Sequence, residues 1–151
     1  MYQEIMVPLD SSELAECVLP HVEAITKGCE VKSVTFVRLV EPFRATMGGE
    51  AAFSDEYIRK WEADSKKVAK NYLDNLVAKV GYAAKGEMLF GRPADMLADY
   101  AKKNNPDLII IATHGRSGVS RWVWGSVADR ILRSACVPVL MVRAPGCVPG
   151  I

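Results

Sequence analysis

The chain has 151 residues, of which 50% are hydrophobic and 25% charged, the balance of a soluble globular domain of ordinary size. Its formal net charge of +1 gives no reason to expect binding to nucleic acid or to a membrane surface. No apolar run is long enough to cross a bilayer and the first residues do not form a secretion signal, so we predict a cytoplasmic protein. The four cysteines are scattered without a zinc-binding spacing and are expected to be reduced thiols.

The first quarter of the chain predicts a strand followed by a helix. Residues 4–9 form a short apolar strand that begins almost at the N-terminus. Asp10 is a candidate N-cap for the helix, and Gly28 ends it. Pro20 lies inside this helix, so we predict a kink or an early break near His21.

The middle of the chain contains a second strand (31–40), a loop (41–54) and a long helix (55–80). The loop is long for a compact domain, which is typical of lids and variable insertions. Apolar residues at helical spacing predict the apolar stripe of the helix: Ile58, Trp61, Val68, Tyr72, Leu76 and Val80. A third strand over residues 85–90 leads into a helix with Pro93 at its first position.

The last third of the chain opens with a run of apolar residues from Leu108 to Ala112, which is typical of a parallel strand buried on both faces. After a glycine-containing loop, Ser126 and Asp129 have the spacing of a capping box and predict a helix that ends near residue 134. A fifth strand covers residues 137–142, and residues 144–151 form a tail.

The regular alternation of strands and helices indicates one α/β domain over residues 1–143. We predict an open, doubly wound, five-stranded parallel sheet of the Rossmann-like kind, with strand order 3-2-1-4-5 and helices on both faces. Ligands of such sheets bind at the carboxyl ends of the strands, where the connections change sides.

A strand, a glycine loop and a helix start occur after residue 108 in the order with which α/β folds hold a phosphate. Glycines let backbone N–H groups approach the anion, and the helix end adds partial positive charge. Between His114 and Arg133 one acid, Asp129, accompanies four arginines, a balance that suits a polyanionic ligand. These arginines are Arg116, Arg121, Arg130 and Arg133.

The spacing of this loop is specific. Gly115 is followed after nine residues by Gly125 and Ser126, and the small residue Ala112 stands three positions before Gly115. This resembles the nucleotide-binding signature of the universal stress protein family: Gly, two residues, Gly, nine residues, Gly, then Ser or Thr. Ala112 replaces the first glycine of that pattern. Residues 114–118, 125–128 and 137–143 also resemble the family, and the likeness continues to the N-terminus.

The resemblance implies a stress-response regulatory or sensing module that binds ATP, ADP, AMP or cyclic AMP, and Mg²⁺ could accompany the phosphates. It implies that Asp10 lies near the ribose and that Leu39 offers backbone groups to the adenine edge. Asp10 and Ser126 could also act as helix caps. The residues expected to contact the nucleotide are Pro8, Leu9, Asp10, Leu39, Ile111, Ala112, His114, Gly115, Arg116, Gly118, Gly125, Ser126, Val127 and Ala128.

Motifs of competing functions are absent from the sequence. It contains no P-loop, no G-x-G-x-x-G, no H-E-x-x-H and no G-x-S-x-G. No nucleophile stands near His114 in sequence, so we assign no catalytic residue and expect a binding protein rather than an enzyme. The alternatives are a family member that works through protein contacts without a nucleotide, and a slow ATPase.

The fifth strand predicts how the chain associates. Pro138 cannot donate to a sheet ladder, which favours an edge position, yet an open edge this apolar would invite aggregation. Pairing of Val139–Val142 with a second copy would cover the edge, and the resemblance implies such a homodimer. A monomer whose tail covers the edge is the alternative.

Overall fold

The computed structural model describes residues 1–43, 53–113 and 126–143. The predictions of a loop over residues 41–54 and of a tail over residues 144–151 therefore fall largely outside the described residues. In chain order the elements are β1 (Glu4–Leu9), α1 (Glu13–Glu16), α2 (Leu19–Gly28), β2 (Ser33–Val40), α3 (Asp55–Lys79), β3 (Ala84–Phe90), α4 (Pro93–Asn104), β4 (Leu108–Thr113), α5 (Ser126–Ser134) and β5 (Val139–Arg143).

The five strands form one parallel sheet in the order β3-β2-β1-β4-β5, which confirms the predicted fold class and strand order. β1 is the central strand, and every residue of it after Glu4 is buried. It pairs with β2 along its whole length, up to Leu9 opposite Arg38. A strand buried in this way needs a nearly continuous apolar sequence, and β1 has one.

Alternate side chains of the central strands point to opposite faces of the sheet and build two apolar clusters. On one face, Val7 packs with residues of α1, α2 and α3 such as Leu73, and we name this set the α1–α3 cluster. On the other face, Met6 packs with Leu97 of α4 and Ile131 of α5, and we name this set the α4–α5 cluster. The two clusters cover both faces of the sheet, as a doubly wound fold requires.

The first helical region is divided earlier than the sequence predicts. α1 ends at Glu16 and α2 begins at Leu19, so the break precedes Pro20 and does not lie near His21. Pro20 occupies the first turn of α2, where the backbone N–H has no partner within the helix in any case. The proline therefore starts a second helix and does not kink a longer one.

The buried face of α3 differs from the predicted stripe. Its buried residues are Ala69, Leu73 and Leu76, whereas Val68 is 67% exposed and Trp61 is 38% exposed. Of the predicted stripe, Leu76 belongs to the α1–α3 cluster and Tyr72 and Val80 pack partly buried against it, so the C-terminal half of the prediction is confirmed. Leu73, which the predicted stripe omits, packs directly against Gly86 of β3.

β5 begins two residues later than predicted, at Val139. Pro138 precedes the strand, and its carbonyl accepts a hydrogen bond from Ile109 N at 3.0 Å, so it contributes to the sheet without needing a donor of its own. β5 pairs with β4 and stands at the end of the strand order, which is the edge position that the proline indicated.

We expect Gly86→Ala to lower the free energy of unfolding by about 1–3 kcal/mol, the usual cost of overfilling a packed contact. A Cβ atom at Gly86 would lie 2.8 Å from Leu73 Cβ, so β3 or α3 would have to shift. Gly81→Ala is the matched control, because a Cβ atom there meets nothing within 4 Å. Chemical denaturation of both variants measures the difference, and equal stabilities would contradict the packing argument.

Candidate functional site

The chain's connections change sides between β1 and β4, and we name the place between the carboxyl ends of these two strands the crevice. The connections that carry α1, α2 and α3 cover one face of the sheet, and those that carry α4 and α5 cover the other. β1 pairs with β4 at Ile5 opposite Leu108 and at Met6 opposite Ile109, and the ladder between the described residues stops there. The carboxyl ends of the two strands therefore lie at a topological switch point, which is where open α/β sheets bind their ligands.

β1 brings three of the predicted site residues to this crevice. Pro8 and Leu9 are buried, and the Leu9 side chain belongs to the α1–α3 cluster. Their side chains are used for packing, so the backbone is what they can offer to a ligand. Asp10 follows the strand directly and is exposed.

The Asp10 carboxylate stabilises the turn that leaves β1. Its Oδ1 atom accepts hydrogen bonds from Ser12 N at 2.9 Å and from Ser12 Oγ at 2.5 Å, while its Oδ2 atom receives none from the described residues. Ser12 is the N-cap of α1, because its Oγ atom accepts from Ala15 N at 3.1 Å. The prediction that Asp10 itself caps the helix is therefore wrong. Asp10 instead forms an Asx turn with Ser12, and Ser12 caps α1.

The end of β2 supplies Leu39 and a residue that the sequence analysis missed, Arg38. The Leu39 side chain is buried in the α4–α5 cluster, and its carbonyl accepts a hydrogen bond from Arg38 Nη1. Arg38 Nε also donates to Ser11 Oγ at 2.9 Å, across to the turn after β1. A charged residue inside an otherwise uncharged strand was the available signal in the sequence.

The end of β4 supplies Ile111 and Ala112. Ile111 is buried in the α4–α5 cluster, and Ala112 packs partly buried against the α1–α3 cluster on the opposite face. Both residues can therefore offer backbone groups at the mouth of the crevice. The loop that follows contains His114, Gly115, Arg116, Gly118 and Gly125, which all lie outside the described residues.

α5 begins at Ser126, as predicted, and packs through its first turn. Ala128 is buried and Val127 partly buried in the α4–α5 cluster, so the first turn of α5 is anchored to the sheet. The predicted capping box of Ser126 with Asp129 rests on a side chain outside the described ones, but the described contacts of Asp129 point along the helix. Both of its carboxylate oxygens accept from Arg133 Nε, at 3.0 and 2.9 Å.

Two of the four arginines counted near the loop already have acidic partners. Arg133 pairs with Asp129, and the bond raises the pKa of the guanidinium; Arg130 Nη2 pairs with Asp95 Oδ1 at 2.8 Å. All of these side chains are substantially exposed. The expected excess of positive charge at the site therefore does not come from α5.

A polar network on the α1–α3 side lies close to Asp10 and Arg38. Tyr72 Oη donates to Glu16 Oε1 at 2.8 Å. Burial, together with this bond, raises the pKa of Tyr72 well above its usual value, so the phenol remains a donor. The charge of Asp10 also raises this pKa and the charge of Arg38 lowers it, which places both groups near the tyrosine.

Neither a metal centre nor a membrane helix occurs in the part of the chain that the structure describes. No three histidine, cysteine or acidic side chains in residues 1–43, 53–113 and 126–143 form a group that could hold a metal ion. Across the same residues, no helix is both long and apolar enough to cross a membrane. Cys17, Cys29 and Cys136 are free thiols.

Comparisons with known proteins agree with this architecture. The family model of the universal stress protein family matches residues 1–143. Universal stress protein MJ0531 of Methanocaldococcus jannaschii is 32% identical over 147 residues, which cover 96% of this chain and 84% of that protein.

Solved structures share the fold as well. Hypothetical protein MJ0577, also from Methanocaldococcus jannaschii, matches with a TM-score of 0.82 at 26% identity, covering 97% of this chain and 99% of that one. The universal stress protein from Archaeoglobus fulgidus, solved in complex with dAMP, matches with a TM-score of 0.60 at 24% identity over 93% of this chain and 97% of that one. The second likeness is one of fold.

Proposed function

We propose that this chain, which belongs to the universal stress protein family, binds an adenine nucleotide (ATP, ADP, AMP or cyclic AMP) as a cytoplasmic regulatory or sensing module. The observation that carries the proposal is the state of Asp10. It stands exposed at the crevice with one carboxylate oxygen held by Ser12 and the other without a hydrogen bond from the described residues. The dAMP complex of the Archaeoglobus fulgidus protein supports the choice of ligand class.

The ribose is assigned to Asp10. A carboxylate oxygen that accepts no other hydrogen bond can accept one from a ribose hydroxyl. Such a bond is stronger than one between neutral groups, because the acceptor is ionised. Because Ser12 holds the Oδ1 atom, Oδ2 is preorganised for that role. Pro8 and Leu9 would flank the nucleoside through their backbone.

The adenine is assigned to the backbone of Leu39, with Ile111 and Ala112 at the end of β4 closing the other side. The Leu39 carbonyl already accepts from Arg38, yet a carbonyl oxygen has two lone pairs and can accept a second bond from the adenine amino group. All three side chains pack against the apolar clusters. Recognition of the base would then depend on main-chain groups.

The phosphates are assigned to the glycine loop and the start of α5. The first N–H groups of a helix lack partners within it, and its N-terminus attracts anions. The backbone of Ser126, Val127 and Ala128 provides such groups. Since Arg130 and Arg133 are paired with Asp95 and Asp129, further positive charge for the phosphates would come from the loop between β4 and α5. The loop residues assigned to the phosphates are His114, Gly115, Arg116, Gly118 and Gly125.

Titration calorimetry with ATP, ADP, AMP and cyclic AMP tests the proposal. We expect binding by the wild type and a loss of at least about 100-fold in Gly125→Val, because a branched side chain would stop the backbone from approaching the phosphates. Gly81→Val is the matched control, at a glycine with open space around its Cβ position. A wild type that binds none of the four would favour the alternative, a family member that works through protein contacts alone.

We expect ATP turnover to be negligible or very slow. Hydrolysis requires a metal held by carboxylates and a group that positions water, and Asp129, the acid of α5 nearest the helix start, is engaged by Arg133. Release of phosphate from ATP with Mg²⁺ present measures this directly. Turnover of several per second that disappears in Asp10→Ala would show that the chain is an ATPase.

We further propose that the chain forms a homodimer through β5. The strand lies at the edge of the sheet, and Val139, Leu140 and Met141 are each only partly buried. An apolar edge with unpaired backbone groups is a template for another strand, and antiparallel pairing with its own copy would close it.

Light scattering on the wild type should report twice the chain mass of 16.6 kDa. Leu140→Lys should shift the population to monomer, because a charge at the paired edge would be buried without a partner. Met88→Lys, in the opposite edge strand β3, places the same charge outside the proposed interface and should leave the dimer intact. A wild type that remains monomeric at micromolar concentration would refute the dimer.

A further inference from the structure

Arg38 joins two elements that border the crevice. It lies near the end of β2, opposite Leu9 of β1, and is partly buried. Its guanidinium donates in two directions, through Nε to Ser11 Oγ at 2.9 Å and through Nη1 to the Leu39 carbonyl. The turn after β1 is thereby tied to the end of β2.

The turn that Arg38 holds has an unfavourable backbone conformation. Ser11 has a φ of 68°, in the left-handed region that residues with a Cβ atom rarely adopt. Such a conformation persists when surrounding contacts fix it. The contacts here come from both sides: Arg38 bonds the Ser11 hydroxyl, and Asp10 Oδ1 accepts from Ser12 N and Oγ.

We propose that Arg38 is a positioning residue for ribose recognition, which rests on the nucleotide binding proposed above. By holding Ser11, it keeps the turn in the conformation that directs Asp10 Oδ1 to Ser12 and leaves Oδ2 for the ribose hydroxyls. Arg38 acts through Ser11 and Asp10 and is not itself assigned a contact with the nucleotide.

The chemistry of the side chain suits this role. A guanidinium is planar and can donate to two acceptors in fixed directions, which the single ammonium group of lysine cannot reproduce with the same geometry. Asp10 directly follows Leu9, the residue that faces Arg38 across the ladder of β1 and β2, so the two charges stand on adjacent strands at the turn. Arg38→Met keeps most of the apolar stem and removes the donors, whereas Arg38→Lys keeps the charge and loses the fork.

The test compares ATP with 2′,3′-dideoxy-ATP, which lacks the ribose hydroxyls. By calorimetry, we expect the wild type to prefer ATP by about tenfold, the usual worth of a hydrogen bond to a charged group. In Arg38→Met the preference should fall to about two- to threefold, because the affinity for ATP drops more than the affinity for dideoxy-ATP, and Arg38→Lys should fall between the two. In an Asp10→Ala background, Arg38→Met should change the preference no further. Arg59→Met, on the exposed surface of α3, is the matched control.

Each outcome decides between the two proposals. A wild type that binds neither nucleotide refutes nucleotide binding and this inference with it. A wild type that binds and discriminates, with a variant that discriminates equally well, refutes the role of Arg38 and leaves nucleotide binding intact. Equal weakening of both ligands in Arg38→Met also refutes it, because a merely structural residue would act in that way.

A second variant covers the case in which Arg38→Met does not fold. Ser11→Ala removes the hydroxyl that Arg38 bonds and leaves the guanidinium in place. We expect the preference for ATP over dideoxy-ATP to fall by about threefold, a fraction of the charged hydrogen bond. An unchanged preference in a folded Ser11→Ala protein would overturn the proposal.

Discussion

The candidate site depends on unequal pairing of the central strand. β1 is bonded to β2 along all six of its residues, but its ladder with β4 covers two pairs near the amino end. The first pairing holds the sheet together, and the second, among the described residues, ends before the carboxyl ends of the two strands. The proposed nucleotide would therefore meet a rigid wall on the β2 side and main-chain groups of β1 and β4 on the other.

The burial of side chains at the ends of the strands decides which groups could contact a ligand in the crevice. In the proposed site, the backbone would supply the contacts of Leu9, Leu39 and Ile111, since the side chains of these residues belong to the two apolar clusters. Polar side chains for the proposed site would come from residues just beyond the ends of the strands, and Asp10, directly after β1, is one of these. A site built mostly from main-chain groups would impose spacing and small residues on the sequence, and the interval between Gly115 and Gly125 has this character.

The architecture could be predicted because it follows from repeated local patterns. Apolar runs of strand length, helix starts and glycine stops specify the alternation, and the proline before β5 indicated the edge. Details that depend on contacts between distant residues could not be read in this way. The buried face of α3 includes Leu73, which packs against Gly86 of another element, and the cap of α1 is Ser12, which the Asp10 carboxylate holds across the turn at Ser11. Neither is visible in helical spacing alone.

The sequence analysis was least accurate about which arginines supply positive charge to the site, and the reason is geometric. Counting arginines along the chain treats Arg130 and Arg133 as part of the loop, yet a helix rises about 1.5 Å per residue and Arg133 stands about 10 Å from the start of α5. It pairs there with Asp129, four residues before it, as helix periodicity allows. Arg38, which no count near the loop would include, is brought to the crevice because β2 is parallel to β1 and ends beside it. Proximity at such a site is thus determined by strand register, and a charge matters there when the topology places it at a carboxyl end.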